Sequence, residues 1–214
     1  MNLAEHVLRA GRDVPDKQAL VVMGPDGADV WTHGDLRRAV LSTATGLLRA
    51  GLRPGDRLLM RLANRPAFPI AYLGAIAAGV ISVPTSAQLT APEITRIAAR
   101  IAPAMIVAGA GVPLPDHPAP VLAEADLDNF ATLPPADFAQ GSADRLAYVV
   151  FTSGSSGQPR AVMHAHRAIL ARQAMMQVGT GCAPTTGCCM PGRSTGHSPL
   201  APGCWTRGPW ARPR

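Results

Sequence analysis

Lysine is nearly missing from this chain: Lys17 stands alone beside nineteen arginines in 214 residues. Cysteine is absent before Cys182, so any cysteine-based metal site is confined to the final stretch holding Cys182, Cys188, Cys189 and Cys204. No apolar run reaches the roughly 20 residues that span a bilayer. The longest, FPIAYLGAIAAGVISV from Phe68 to Val83, contains Pro69 and reads as a buried helix feeding a buried strand. The opening residues MNLAEHVLRAGRD mix acids and bases without the apolar centre of a signal peptide. The expectation is therefore a cytoplasmic protein with no membrane span.

What is present is a globular composition, 47% hydrophobic and 16% charged. A net charge of +6 would ordinarily invite a nucleic-acid or anionic-membrane partner. Its distribution argues against both. Residues 178–214 hold Arg193, Arg207, Arg212 and Arg214 and no acid, supplying +4 of the +6, so the preceding 177 residues carry +2. Trp205, Trp210 and all four cysteines share that tail, and the composition changes abruptly near Gln177. No internal repeat and no domain boundary interrupts residues 1–177.

Along the chain, strand-like and helix-like segments alternate. Asn2 can cap a helix over Leu3 to Ala10. Ala19–Met23 and Asp29–Thr32 flank a Gly-Pro-Asp-Gly turn and read as a hairpin. Thr32 and Asp35 fit a capping box ahead of a helix from Gly34 to Ala50, and Thr90 with Glu93 repeats that signature with Pro92 in the first turn. Strands are expected at Arg57–Leu62, Val80–Val83, Ala104–Ala108, Ala119–Glu124 and Ala147–Phe151, with loops at Gly111–Pro120 and Leu133–Arg145. Such alternation predicts an α/β fold built on a mainly parallel sheet flanked by helices.

The last of those strands opens into Thr152, Ser153, Gly154, Ser155, Ser156 and Gly157, and Arg160 follows. Glycines let backbone N–H groups turn to one side, hydroxyls add donors, and arginine adds positive charge, a combination suited to phosphate oxygens. The carboxyl end of a strand is also where open α/β sheets place ligands. A Ser/Gly linker is the plainer reading, but a linker needs neither the apolar AYVVF before it nor PRAVMHAHRAIL after it. No GK[ST] closes the loop, so it is not a Walker A sequence. His164 and His166, read as part of the helix that follows, would point to different faces at their i, i+2 spacing.

FTSGSSGQPRAV resembles the phosphate-binding signature of the adenylate-forming superfamily, whose usual form is YTSGSTGxPKGV. WTHGDL, the stretch from Gly51 to Ile94 and AMIVA resemble, in the same order, the amino-terminal subdomain of those ligases. The resemblance covers about 177 residues and departs at two places, Arg160 for the common lysine and Ala161 for the common glycine. It implies an incomplete amino-terminal part of an ATP-dependent acid-CoA ligase. Such an enzyme joins a carboxylate to ATP, giving an acyl-adenylate and pyrophosphate, and CoA thiol then displaces AMP. The implied partners are a small carboxylic acid, ATP, Mg²⁺ and CoA. Carried over by position, Thr152, Ser153, Gly154, Ser155, Ser156, Gly157 and Arg160 grip the ATP phosphates. Arginine keeps the charge of lysine but changes its geometry. No catalytic residue is assigned, nor any metal ligand.

The tail resists a metal reading, because Cys-x5-Cys-Cys-x7-His-x6-Cys lacks CxxC-type pairs and adjacent cysteines rarely aim both sulfurs at one ion. Codon arithmetic offers another account. When each shifted codon takes the wobble base of one residue and two letters of the next, residues 178–211 recode as WYGLRPDDRVLHAGAFNWTFTxGTGLLDPWAxGA, with x unresolved. Family-like options are taken wherever a choice exists, yet the alanine after the histidine, the aspartate of LLDPW and the glycine near the end are forced. The recoded segment resembles the next part of the same superfamily, in the branch of benzoate-like and short-to-medium-chain acid-CoA ligases. Residues 178–214 are thus expected to be an out-of-frame, disordered tail, and the chain as written an inactive, poorly soluble piece. Two alternatives stay open: a non-catalytic nucleotide-binding module with a metal-binding cysteine tail, and an adenylating domain serving a carrier protein.

Overall fold

The computed structural model describes residues 1–24, 27–152 and 159–179. Residues 178–214 were expected to be a separate tail; apart from the end of the last helix they lie outside the described residues.

Local signals place most elements. Asn2 caps α1 (Leu3–Val7), its Oδ1 accepting from the Ala4 N–H at 2.9 Å, and a second short helix, α2 (Ala10–Asp13), completes the segment read as one. β1 (Gln18–Gly24) and β2 (Gly27–Thr32) pair antiparallel as the expected hairpin. Thr32 and Asp35 form the predicted capping box of α3 (His33–Arg49). β3 (Arg57–Arg61) leads through α4 (Ala67–Ala77), apolar on every side, to β4 (Ile81–Pro84). At α5 (Ala91–Ile101), the Glu93 carboxylate reaches back to the Thr90 N–H at 2.8 Å. Then come β5 (Met105–Ala108), β6 (Val121–Ala123), the unanticipated α6 (Asp126–Phe130), β7 (Leu146–Thr152), β8 (Arg160–Ala165) and α7 (Ala168–Gly179).

Six strands form one sheet in the order β6-β5-β3-β4-β7-β8. Every neighbouring pair is parallel except β7 with β8. The predicted α/β class with a mainly parallel sheet is therefore what the chain adopts. On one face α3 and α4 build a core with Leu47, Leu58, Met60, Tyr72, Ile76 and Tyr148. On the other, α5 sets Ile94, Ile97, Ala98 and Ile101 against Leu59, Ile106 and Val149, with Phe151 at the margin. This second cluster joins α5 to the strand that carries the hydroxyl and glycine loop.

Two glycines are required by close approach. A Cβ on Gly46 of α3 would overlap the Phe130 ring of α6, and one on Gly74 of α4 would meet Thr43 of α3 at 3.0 Å. Arg57 closes α5 from the sheet side by donating to the Ala102 carbonyl at 3.2 and 3.3 Å, where Ala102 holds a left-handed φ of 42°. The helix is thus pinned at its start, along its apolar face and at its end. No helix among the described residues is long and apolar enough to cross a membrane.

Candidate functional site

β7 runs parallel to β4 with Ser82 level with Tyr148, so it ends on the same side as the carboxyl ends of β3, β4 and β5. Its last residue, Thr152, is exposed and pairs with Arg160, the first residue of β8. The structure thus brings the two described members of the predicted phosphate set to opposite feet of one loop. Ser153, Gly154, Ser155, Ser156 and Gly157 lie outside the described residues. Arg160 is exposed and makes no ion pair among the described residues. A guanidinium beside a threonine, with no carboxylate bonded to either among the described residues, suits an anionic ligand.

A third residue belongs to this mouth, and its sequence context gave no hint of it. Arg100, in the last turn of α5, donates through Nη1 to the Pro159 carbonyl at 2.6 Å. It fixes the residue immediately before Arg160.

The two histidines take other roles. The expectation that His164 and His166 sit on a helix is wrong: His164 lies on the strand β8, held in register by β7, and His166 in the turn between β8 and α7. His164 stacks on the Tyr148 ring at 4.5 Å, and Tyr148 in turn meets Tyr72 edge-on at 5.7 Å. Burial, with the charge of Arg172, holds the His164 imidazole below its ordinary pKa. His166 is 1% exposed, and its Nδ1 accepts from the Leu3 N–H at 2.9 Å, which requires the neutral tautomer protonated on Nε2. Burial first, then the charges of Arg145 and the terminal ammonium, lower its pKa to about 4. The pair therefore braces β8 against β7 and the amino-terminal helix, away from the loop's two feet.

The carboxyl side of the sheet also holds a buried cation that the sequence reading passed over. Arg61 at the end of β3 is fully buried, and its guanidinium donates to the carbonyls of Ser86, Ala87, Leu89 and Pro113, the last three at 2.9–3.4 Å. Burial pushes its pKa down. No carboxylate among the described residues is bonded to it. Arg61 acts as a knot joining the loop after β4 to the loop after β5, two loops at the carboxyl ends of the parallel strands.

The donor set fits polyphosphate oxygens, since Thr152 offers a hydroxyl and Arg160 a guanidinium with no ion pair among the described residues. Among the described residues no cluster of three carboxylate, histidine or cysteine side chains stands together. The cysteines of the tail lie outside the described residues.

Known proteins share this arrangement of sequence and fold. The p-hydroxybenzoic acid–AMP ligase FadD22 of Mycobacterium tuberculosis is 30% identical over 140 residues, covering 65% of this chain and 20% of its own length. The 4-hydroxybenzoate–CoA/benzoate–CoA ligase of Rhodopseudomonas palustris is 30% identical over 171 residues, covering 69% and 31%. Feruloyl-CoA synthase of an Amycolatopsis species is 32% identical over 152 residues, covering 65% and 29%. The chain thus spans about a fifth to a third of these relatives. Among solved structures, the N-terminal subdomain of Klebsiella oxytoca NpsA, in complex with 3-hydroxybenzoyl-AMSN, superposes with a TM-score of 0.71 at 23% identity. That match covers 80% of this chain and 42% of the subdomain chain. The profile of the AMP-binding enzymes matches residues 7–192, running past the change of composition at Gln177. By that match, and by relatives that are acid–AMP and acid–CoA ligases, this chain belongs to the AMP-binding enzyme family.

Proposed function

We propose that the protein to which these residues belong activates a carboxylic acid with ATP, releasing pyrophosphate, and passes the acyl group from the acyl-adenylate to CoA. In the first step a carboxylate oxygen bonds to the α-phosphorus and the bond to the departing pyrophosphate breaks. In the second, CoA sulfur bonds to the acyl carbon, AMP leaves, and the thiol proton is given up. The observation that carries the reading is Arg160, without an ion pair among the described residues, facing Thr152 across the foot of the loop. Charge develops on the departing pyrophosphate, and donors already in place stabilise it without reorganisation. Mg²⁺ would supply further neutralisation of the phosphate oxygens. The remaining loop residues of the proposed grip are Ser153, Gly154, Ser155, Ser156 and Gly157.

The substrate proposed is an aromatic acid of the benzoate type, because the relatives named above act on hydroxybenzoate, benzoate and ferulate. CoA is preferred over a carrier protein as acceptor because two of those three are CoA ligases. The proposed compartment is the cytoplasm. We further propose that residues 178–214 are an out-of-frame translation, whose cysteines, tryptophans and arginines have no selected role. The forced positions of the recoded segment support this, and as written those residues leave the chain without activity.

The grip itself is measurable without turnover. Titration of the 214-residue chain with inorganic pyrophosphate should give saturable binding that Arg160→Ala weakens about tenfold, the value of roughly one charge-assisted hydrogen bond. An unchanged dissociation constant in that variant would remove Arg160 from the grip.

A further inference from the structure

We infer that Arg100 is a positioning residue for polyphosphate at this loop, an inference that rests on the proposed phosphate grip. Its only side-chain hydrogen bond among the described residues goes to the Pro159 carbonyl, 59 positions along the chain. Pro159 is the residue between the loop and β8. Proline has no N–H and a fixed φ, so its carbonyl is the one strong polar handle by which this foot of the loop can be held. Both sides of the contact are differently supported, which is what makes it informative.

On the α5 side the support is rigid. The capping box at Thr90 and Glu93 fixes the start, Ile94, Ile97 and Ile101 pack under the sheet, and Arg57 holds the Ala102 carbonyl at the end. On the loop side, Thr152 and Arg160 are the terminal pair of the β7–β8 ladder. A terminal pair frays readily, since it is flanked by ladder on one side only. Arg100 adds a hydrogen bond, from a separate element, at the residue beside that pair. The consequence is that the Arg160 backbone, and with it the origin of its guanidinium, is held relative to Thr152 before a ligand arrives. Pre-organisation of this kind raises affinity by reducing the ordering cost of binding.

The contact also adds positive charge next to Arg160. Arg100 makes no ion pair among the described residues, so a second cationic side chain reaches the residue next to Arg160. Two like charges so placed are tolerated in solvent and favoured by an anionic ligand.

The test is pyrophosphate titration of the full chain as wild type, Arg100→Ala and Arg100→Lys, with the thermal midpoint of each. The expected result is a five- to tenfold loss of affinity in Arg100→Ala, on the scale of one hydrogen bond to a charged donor. Lysine, which can still donate to the Pro159 carbonyl, should recover affinity to within about twofold. Thermal midpoints should stay together, because Arg100 is solvent-exposed. A wild type that binds while Arg100→Ala binds equally well would overturn the inference alone. An affinity loss accompanied by a matching drop in midpoint, without rescue by lysine, would also overturn it, by showing a merely structural contact. A wild type that binds no pyrophosphate would overturn the proposed grip, and this inference with it.

Discussion

Arg61→Ala should cost about 3–5 kcal/mol of stability, since it leaves several buried carbonyls short of a donor at about 1–3 kcal/mol each. The reason is the imbalance left behind. Four carbonyls, those of Ser86, Ala87, Leu89 and Pro113, converge on one guanidinium. Removing it leaves acceptors without a donor and a cavity at the end of β3. Each unsatisfied buried acceptor costs about 1–3 kcal/mol, less wherever water enters to replace the donor. Domains of this kind are stable by only about 5–15 kcal/mol in all, so the variant should sit near its unfolding threshold. Arg61→Lys should recover part of the loss, since an ammonium donates three hydrogen bonds but lacks the planar fork. Urea midpoints, with the slope checked for constancy, measure the effect. A midpoint unchanged in Arg61→Ala would mean that the loops after β4 and β5 hold themselves in place.

Acidification should destabilise the chain by up to about 3 kcal/mol between neutral pH and about pH 4, through His166. The sign follows from the protons. Folded, the imidazole has a pKa near 4, below the 6.5 of an ordinary histidine. The unfolded state therefore binds more protons across that interval, and stability falls as pH drops through it. The contribution is complete above about pH 6.5 and gone below about pH 4. Protonating Nδ1 would also turn the acceptor for the Leu3 N–H into a donor, opposing the contact that docks α1 on the end of β8. His166→Asn keeps an acceptor near the same place and should flatten the curve between pH 6.5 and 4.5. Carboxylates contribute lower down: hydrogen bonds from Thr32 to Asp35 and from Thr90 to Glu93 hold both below the usual carboxylate range. Their stabilisation is lost only as pH falls through those lowered values. A wild-type curve already flat between pH 6.5 and 4.5 would show that His166 is not buried as the neutral form.

Most of the architecture is legible in local sequence because local interactions determine it. Thr32 with Asp35 and Thr90 with Glu93 announce helix starts, and both helices begin there. The Arg57–Arg61 and Met105–Ala108 strands are short apolar runs bounded by turn residues, and both are buried in the sheet. β8 is different. Arg-Ala-Val-Met-His-Ala has no period-two pattern, since it pairs with β7 along one edge while Arg160 to Met163 stay exposed. Only the ladder with β7 makes it a strand, and a ladder is invisible in the segment's own residues. α6 escapes for a related reason, being five residues long without a side-chain cap and held by the buried Leu127 and by Phe130 against Gly46.

The site divides in the same way. Thr152 and Arg160 follow from the loop's composition and from resemblance, because glycines and hydroxyls stand together in the chain. Arg100 and Arg61 do not. Each is an arginine in an unremarkable helix or strand context, and each acts through backbone carbonyls of distant residues that carry no side-chain signature. Contacts to carbonyl groups are set by tertiary placement alone, so a motif search cannot register them.

The central claim is that these residues belong to an acid-activating ligase whose frame is disturbed near Gln177. The most direct measurement is acid-dependent ATP–pyrophosphate exchange. It compares the chain as written with a protein expressed from the same gene with one base restored at the Gln177–Val178 codons and translation continued to the next in-frame stop. Benzoate, hydroxybenzoates, ferulate and medium-chain fatty acids form the panel. The account predicts exchange above background with at least one aromatic acid in the frame-restored protein, and none in the chain as written. Equal exchange by the chain as written, or a folded frame-restored protein silent toward every acid, would contradict it.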